Sequence, residues 1–277
     1  MNENMSGLRD WAKDCLPPVL LRGLRQLRGG GIVFKGDYPD WESAAAQCSG
    51  YDKDIILDKV LDATRRVKRG EAAFERDSVV FDEFEYAWPV IAGLMWAAAR
   101  NAGSLNVLDF GGALGSSYFQ NRRFLDKLLD FNWNVIEQPH FVQTGKSHIQ
   151  DERLRFYFTI AECLTENRPN AVLLSSVLQY LEDPATIIKE LKAVNPSVVI
   201  LDRTIVNQSA EHKNYIQTVP ASIYSASYPC RSLAESKLIE YFYPEYQLES
   251  SFPSLSFPAL EKIDSMFKGF LFTKVNE

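Results

Sequence analysis

The chain has 277 residues, a net charge of −6, 46% hydrophobic and 24% charged content. These values fit a globular protein of one large domain, or one domain with an extension, and speak against a general nucleic-acid binder, which carries a basic surface. Four cysteines (Cys15, Cys48, Cys163, Cys230) show no paired spacing, and the three histidines pair with no cysteine or carboxylate at ligand spacing. The sequence therefore predicts a reducing, cytoplasmic setting with neither a disulfide frame, a zinc ribbon nor a protein-held metal.

The charge is uneven. Residues 1–36 carry a net +3, leaving −9 for the remainder. Residues 8–28 are helical in pattern, broken at Pro17 and Pro18, with Leu20, Leu24 and Leu27 on one side and arginines elsewhere. Such a basic helix can lie on the inner, anionic face of a membrane, or pack on the domain or in a homodimer interface. No apolar run reaches the roughly 18 residues of a membrane span, and an uninterrupted signal-peptide core is lacking. An irregular aromatic stretch with turn signals follows. Residues 53–70 read as a helix with Ile56, Val60, Ala63 and Val67 on a stripe, and 85–101 as a mostly apolar, buried helix.

From residue 105 the texture alternates. Strands are predicted at 105–110, 133–138, 154–160, 170–178 and 197–204, and helices around 116–129 and over 184–194, with a short helix or loop at 140–150. Residues 205–230 form a polar, aromatic segment of little periodicity, 232–243 a helix, and 246–252 with 269–275 a late antiparallel pair. Alternation of this kind predicts a parallel sheet with helices on both faces, binding its ligand at the carboxyl ends of the strands where strand order switches. The sequence divides into a helical or irregular extension over 1–80 and an α/β domain over 81–277.

The first core strand ends in Asp109-Phe110-Gly111-Gly112-Ala113-Leu114-Gly115. Glycine lets a ligand approach the main chain, and the following helix start offers free amide hydrogens; a tight packing turn is the competing explanation. Glu137 ends the second strand, where a carboxylate can accept both ribose hydroxyls. The pattern fits G-x-G-x-x-G poorly, which disfavours a nicotinamide oxidoreductase. It fits D-x-G-x-x-x-G better, and here the sequence resembles class I S-adenosylmethionine (SAM) methyltransferases. "NAVLLSSVLQYLEDP" and the late strand pair resemble that class too. Together with "FKGDYPDWESA", "GYD", "FDEFEYAWP" and "LDRT", these stretches resemble a bacterial family classed as methyltransferases and often found among polysaccharide-assembly genes.

The resemblance implies a Rossmann-like, mostly parallel sheet closed by an antiparallel C-terminal hairpin, with SAM as cofactor and S-adenosylhomocysteine (SAH) as product. It implies that Asp109, Gly111, Gly112 and Gly115 hold the methionine part, Glu137 and Gln138 the ribose, Thr159 and Ile160 the adenine, and that Ser175 and Ser176 line the cofactor. Ala113 stands where the class commonly has glycine. Candidate catalytic groups at the strand ends are Gln179, Tyr180, Asp202 as proton acceptor and Arg203 as holder of an anionic group. An Asp202–Arg203 pair that braces its loop is an equal alternative. Residues 81–89, with Glu83, Tyr86 and Trp88, can lid the site, with aromatic packing against the sheet the favoured role for Trp88; Tyr215, Tyr224 and Tyr228 wall the acceptor or simply pack their loop. The expected acceptor is a small molecule or glycan, methylated on a sugar hydroxyl. N-methylation of a small molecule or protein side chain, or a non-catalytic SAM-binding partner, are the alternatives.

Overall fold

The computed structural model describes residues 31–49, 53–76, 78–220, 226–254 and 258–275. The basic helix expected over 8–28, and Tyr224, lie outside the described residues.

The parallel part of the sheet begins with four strands: β4 (Ser104–Phe110), β5 (Asp130–Ile136), β6 (Leu154–Tyr157) and β7 (Ala171–Ser175). Ahead of them come β1 (Val33–Tyr38), β2 (Phe74–Arg76) and β3 (Val79–Phe81); after them come β8 (Val198–Asn207), β9 (Lys213–Val219), β10 (Ala226–Ala234), β11 (Tyr246–Pro253) and β12 (Ser265–Lys274). The order is β1-β9-β10-β8-β7-β4-β5-β6, with β12 antiparallel to β8 and β11 antiparallel to β12. This is the expected α/β, Rossmann-like sheet, mostly parallel in its core and closed by an antiparallel C-terminal hairpin. Strand order switches at β4, which lies between β5 and β7.

Helices cover the two faces: α1 (Trp41–Ala45), α2 (Lys53–Lys68), α3 (Trp88–Arg100), α4 (Ser116–Leu125), α5 (Pro139–Thr144), α6 (Ile160–Glu166), α7 (Pro184–Ala193) and α8 (Glu235–Glu240). Side chains alternate across a strand, and here the alternation separates two cores. Leu105 and Val107 of β4, Leu173 of β7 and Ile200 of β8 join one cluster with Val60 and Val67 of α2 and Leu94 of α3. Leu108, Val172, Leu174 and Leu201 join the other, with Ile188 of α7 and Leu238 of α8. Burial on both faces is why β7 reads as the unbroken apolar run Ala-Val-Leu-Leu.

The segments of least periodicity differ most from expectation. Residues 205–230 are largely strand: β8 continues to Asn207, and β9 pairs antiparallel with β10. β8 outruns β7, whose pairing with it stops at Ser175–Asp202, and β10 takes up the vacated edge at Val206 and Asn207. The irregular stretch near the N-terminus supplies β1, which pairs with β9. The expected helix at 232–243 shortens to α8. The helix at 85–101 spans 88–100 and is buried along one side, with Met95 and Trp96 exposed. No helix among the described residues is long and apolar enough to cross a membrane.

Candidate functional site

The glycine turn leaves β4 at the switch in strand order and delivers the chain to α4. Gly111 has φ +72°, Ala113 +50° and Gly115 +90°. Gly111 N–H donates to the Ile136 carbonyl at 2.9 Å, which ties the turn to the end of β5. A Cβ on Gly111 would lie 2.5 Å from Val177 Cγ2, and one on Gly112 2.4 Å from Asp109 Oδ2. The turn is therefore close-packed against its own strand end as well as open to a ligand. Packing accounts for the absence of side chains at Gly111 and Gly112; it does not account for the carboxylate beneath them.

Asp109 is 1% exposed. Trp133 Nε1 donates to its Oδ2 at 3.0 Å, while Oδ1, equally buried, has no hydrogen-bond partner. Trp133 is the register partner of Val107, and Asp109 lies two residues further along the same strand, so the two side chains meet on one face. Burial pushes the Asp109 carboxyl up to about 7; the Trp133 bond opposes this, Glu137 adds to it, and Arg203 opposes it. Glu137 itself is raised by burial, with the backbone N–H groups of Gln138 and Ala113 pulling the other way. Gln138 N–H donates to Glu137 Oε2, and Gln138 opens α5 with Pro139 in the first turn.

A cleft of about 190 Å³ lies over this strand end. It gathers Asp109, Gly111, Gly112, Ser175, Ser176 and Arg203 of the residues expected from sequence. Gly115, Glu137, Gln138, Thr159, Ile160, Gln179, Tyr180 and Asp202 do not line it. Thr159 caps α6, its Oγ1 accepting from Glu162 N–H at 3.0 Å, and Ile160 packs against the second core. Gln179 is fully buried; its Nε2 donates to Ser176 Oγ at 3.0 Å and to the Arg203 carbonyl at 3.2 Å. Gln179 thereby joins the ends of β7 and β8. Tyr180 donates to Gln217 Oε1 at 3.0 Å, and Gln217 donates on to Tyr228 at 3.0 Å, a chain that couples the strand-end turn to β9 and β10.

Asp202 is braced on both oxygens. Ser175 Oγ donates to Oδ2 at 2.9 Å and Ser254 Oγ to Oδ1 at 2.6 Å, with Arg203 Nε 3.4 Å from Oδ2. Arg203, at φ +48°, also donates to Ser175 Oγ at 3.1 Å. These contacts brace the pair and hold the Arg203 guanidinium at the cleft wall.

Most of the rest of the lining is unexpected. It comes from α2 (Ile56, Val60) and from the β2–β3 hairpin (Glu75, Arg76, Ser78), with Ser116, Ser117 and Gln120 of α4. The expected lid at 81–89 packs elsewhere: Trp88, 59% exposed, sets its ring against Tyr86 and Phe124 at 5.3 and 5.4 Å. Gln120 Nε2 donates to the Glu85 carbonyl, the link from that segment to the cleft. The run "FERDSVVF" carries a hairpin signal, two apolar β-prone ends around Asp-Ser, but nothing local marks Glu75 as buried. No group of three or more potential metal ligands occurs among the described residues.

No protein-family model matches the chain, and no curated protein sequence matches it. Its architecture is similar to solved structures. One is the N-terminal domain of EvdMO1 in the presence of SAH and D-fucose (TM-score 0.49, 14% identity, 78% of this chain and 96% of that one). Another is CalS10, an amino pentose methyltransferase from Micromonospora echinaspora with SAM bound (TM-score 0.43, 9% identity, 68% and 90%). A third is magnesium protoporphyrin IX methyltransferase from Synechocystis PCC 6803 with SAM bound (TM-score 0.44, 11% identity, 68% and 79%).

Proposed function

We propose that the chain is a SAM-dependent methyltransferase whose acceptor is a sugar hydroxyl in surface-polysaccharide assembly. The observation that carries the cofactor is the Asp109 carboxyl: a buried oxygen without a partner, beneath a glycine turn, at the switch in strand order. Buried polar atoms are nearly always hydrogen-bonded, so Oδ1 suits a ligand that brings a donor. Glu137 at the tip of the neighbouring strand suits a ribose diol, and the residues present fit the cofactor.

The cofactor, when bound, supplies a methyl group already activated on a sulfonium. Asp109 and the Gly111–Gly112 backbone hold the methionine part, Glu137 and Gln138 the ribose. Thr159 and Ile160 flank the adenine from the start of α6, and Ser175 and Ser176 line the cofactor from the end of β7. Gln179, fixed by Ser176 and the Arg203 carbonyl, keeps the β7 and β8 ends in register. The Asp202 brace presents Arg203 to an electronegative acceptor group, and Tyr180, tied through Gln217 to Tyr228, walls the acceptor side. Their work is alignment and exclusion of water, and Asp202 is the carboxylate that would take the proton the hydroxyl gives up. The sugar acceptor is supported by the resemblance to the polysaccharide-associated family. It suits the polar tyrosine and glutamine groups at the β9–β10 end.

Calorimetry tests the reading. SAM and SAH should bind in the micromolar range, and Glu137→Ala should weaken both by about tenfold or more through loss of two hydroxyl contacts. A folded protein that binds neither overturns it. Transfer of a labelled methyl group to purified glycan rather than to protein fractions tests the acceptor.

A further inference from the structure

The cleft is lined by charges of both signs, carried by two separate parts of the chain. Asp109 and Glu75 are the carboxylates, Arg76 and Arg203 the guanidinium groups. Asp109 and Arg203 belong to the sheet; Glu75 and Arg76 belong to the β2–β3 hairpin, more than thirty positions earlier in the chain. Glu75 is 2% exposed, far from the usual surface setting of a glutamate. Its carboxylate accepts from Ser78 N–H at 3.2 Å and from the Ser116 hydroxyl at the start of α4. The first bond closes the hairpin on itself, and the second fixes it to the helix that follows the glycine turn. Phe74 and Phe81 stack at 4.6 Å across the hairpin, and the Arg76 guanidinium lies 5.5 and 5.9 Å from their ring centres. Both charged side chains are thus held by packing rather than left to solvent.

Burying a charge is costly unless an opposite charge or strong hydrogen bonds meet it. Two acids and two bases about one small polar cleft suit a ligand that carries both signs close together. An α-amino acid is such a ligand: its ammonium donates three hydrogen bonds and its carboxylate accepts from guanidinium groups. Asp109 Oδ1, buried and unpartnered, supplies one acceptor for that ammonium.

We propose that the β2–β3 hairpin grips the amino-acid end of the cofactor, with Glu75 opposite Asp109 around the α-ammonium and the arginines toward the α-carboxylate. The segment ahead of the sheet then completes the cofactor site. This rests on the methyltransferase reading and adds to it a residue and an element that the strand-end motifs leave out.

The test compares two nucleosides by calorimetry: SAH, and methylthioadenosine, which keeps the adenosine and the sulfur but lacks the amino-acid end. Glu75→Gln keeps the size of the side chain: its one carbonyl oxygen still accepts from Ser78 N–H, and its amide NH2 can donate to the Ser116 hydroxyl. It should weaken SAH by about tenfold or more while leaving methylthioadenosine within about twofold, since the lost contact is a charge-assisted one. Equal weakening of both, or of neither, overturns the assignment. Hydrogen exchange on the unmutated protein gives a second readout that does not depend on the variant folding. SAH should protect the amides of residues 74–81 and methylthioadenosine should not; equal protection by both overturns the assignment. Failure of the unmutated protein to bind either nucleoside overturns the methyltransferase reading itself. Binding with an unmoved ratio overturns only the role of the hairpin.

Discussion

Asp109 concentrates the physics of the site in one side chain. Its carboxyl is pushed up to about 7 first by burial, and the Trp133 bond does not restore an ordinary value. A carboxyl raised on folding stabilises the fold at low pH and loses that contribution as pH rises through its folded value. For Asp109 the loss runs from about 4 to about 7. Ligand-free protein should therefore become less stable across that interval, by an amount on the order of a few kcal/mol, and Asp109→Asn should flatten the trend. Urea unfolding at pH 5 and pH 8 measures it; identical slopes in both proteins would exclude Asp109 as the source. A cationic ligand group reverses the preference and favours the ionised form. SAH should accordingly bind more tightly as pH rises through about 7 and release protons on binding below it. Calorimetry in buffers of different ionisation enthalpy reads that release directly.

Helix α3 shows what an element contributes to the site without touching it. Gly93 lets the helix lie close on the sheet: a Cβ there would sit 2.9 Å from Ile200 Cδ1 and Leu271 Cδ1. β8 and β12 are thereby held on one side, while β8 presents Asp202 and Arg203 at its middle, where its pairing with β7 stops. Gly93 has no left-handed backbone requirement; its smallness is a matter of approach distance. Gly93→Ala should force those branched side chains aside and cost about 1–3 kcal/mol, the usual penalty for overpacking a filled core. A shift in the urea midpoint with an unchanged slope is the expected result. A neutral substitution would mean that Ile200 and Leu271 have room to move, and that helix and sheet are not tightly matched here.

For the molecule as a whole, the part ahead of the sheet is built into the body. Val60 and Val67 of α2 belong to the same buried cluster as β4, β7 and β8. β1 pairs with β9, and the β2–β3 hairpin rests on α4 through Glu75 and Ser116. A chain beginning at residue 81 would leave apolar surface of that core in water, at about 25 cal/mol for each Å² exposed. Stability in proteins of this size is only about 5–15 kcal/mol, so the shortened chain should show no cooperative unfolding transition. Circular dichroism against urea decides; a sharp transition would make residues 81–277 an autonomous domain.

Local pattern was enough to read the core of the sheet. Parity along β4, β7 and β8 is written in the sequence, because each strand must satisfy two apolar faces at once, and this alone yields the strand–helix alternation. The glycine turn and Glu137 are legible for a similar reason: they are unusual residue types at neighbouring positions of two strand ends. Contacts between distant segments leave no such trace. Glu75 reads as one more surface acid until the hairpin docks on Ser116. Asp202 reads equally as a strand-end base or as half of a brace with Arg203, and only the fold shows that Ser175 and Ser254, on separate elements, donate to its two oxygens. The strands β9 and β10 are likewise hidden, since their polar, aromatic residues make sense only beside the long edge that β8 leaves uncovered. Sequence fixes what can be decided by periodicity and by neighbours along the chain. Which charges share a cleft is decided by loop closure and packing, where the partner of a residue is set by the whole fold.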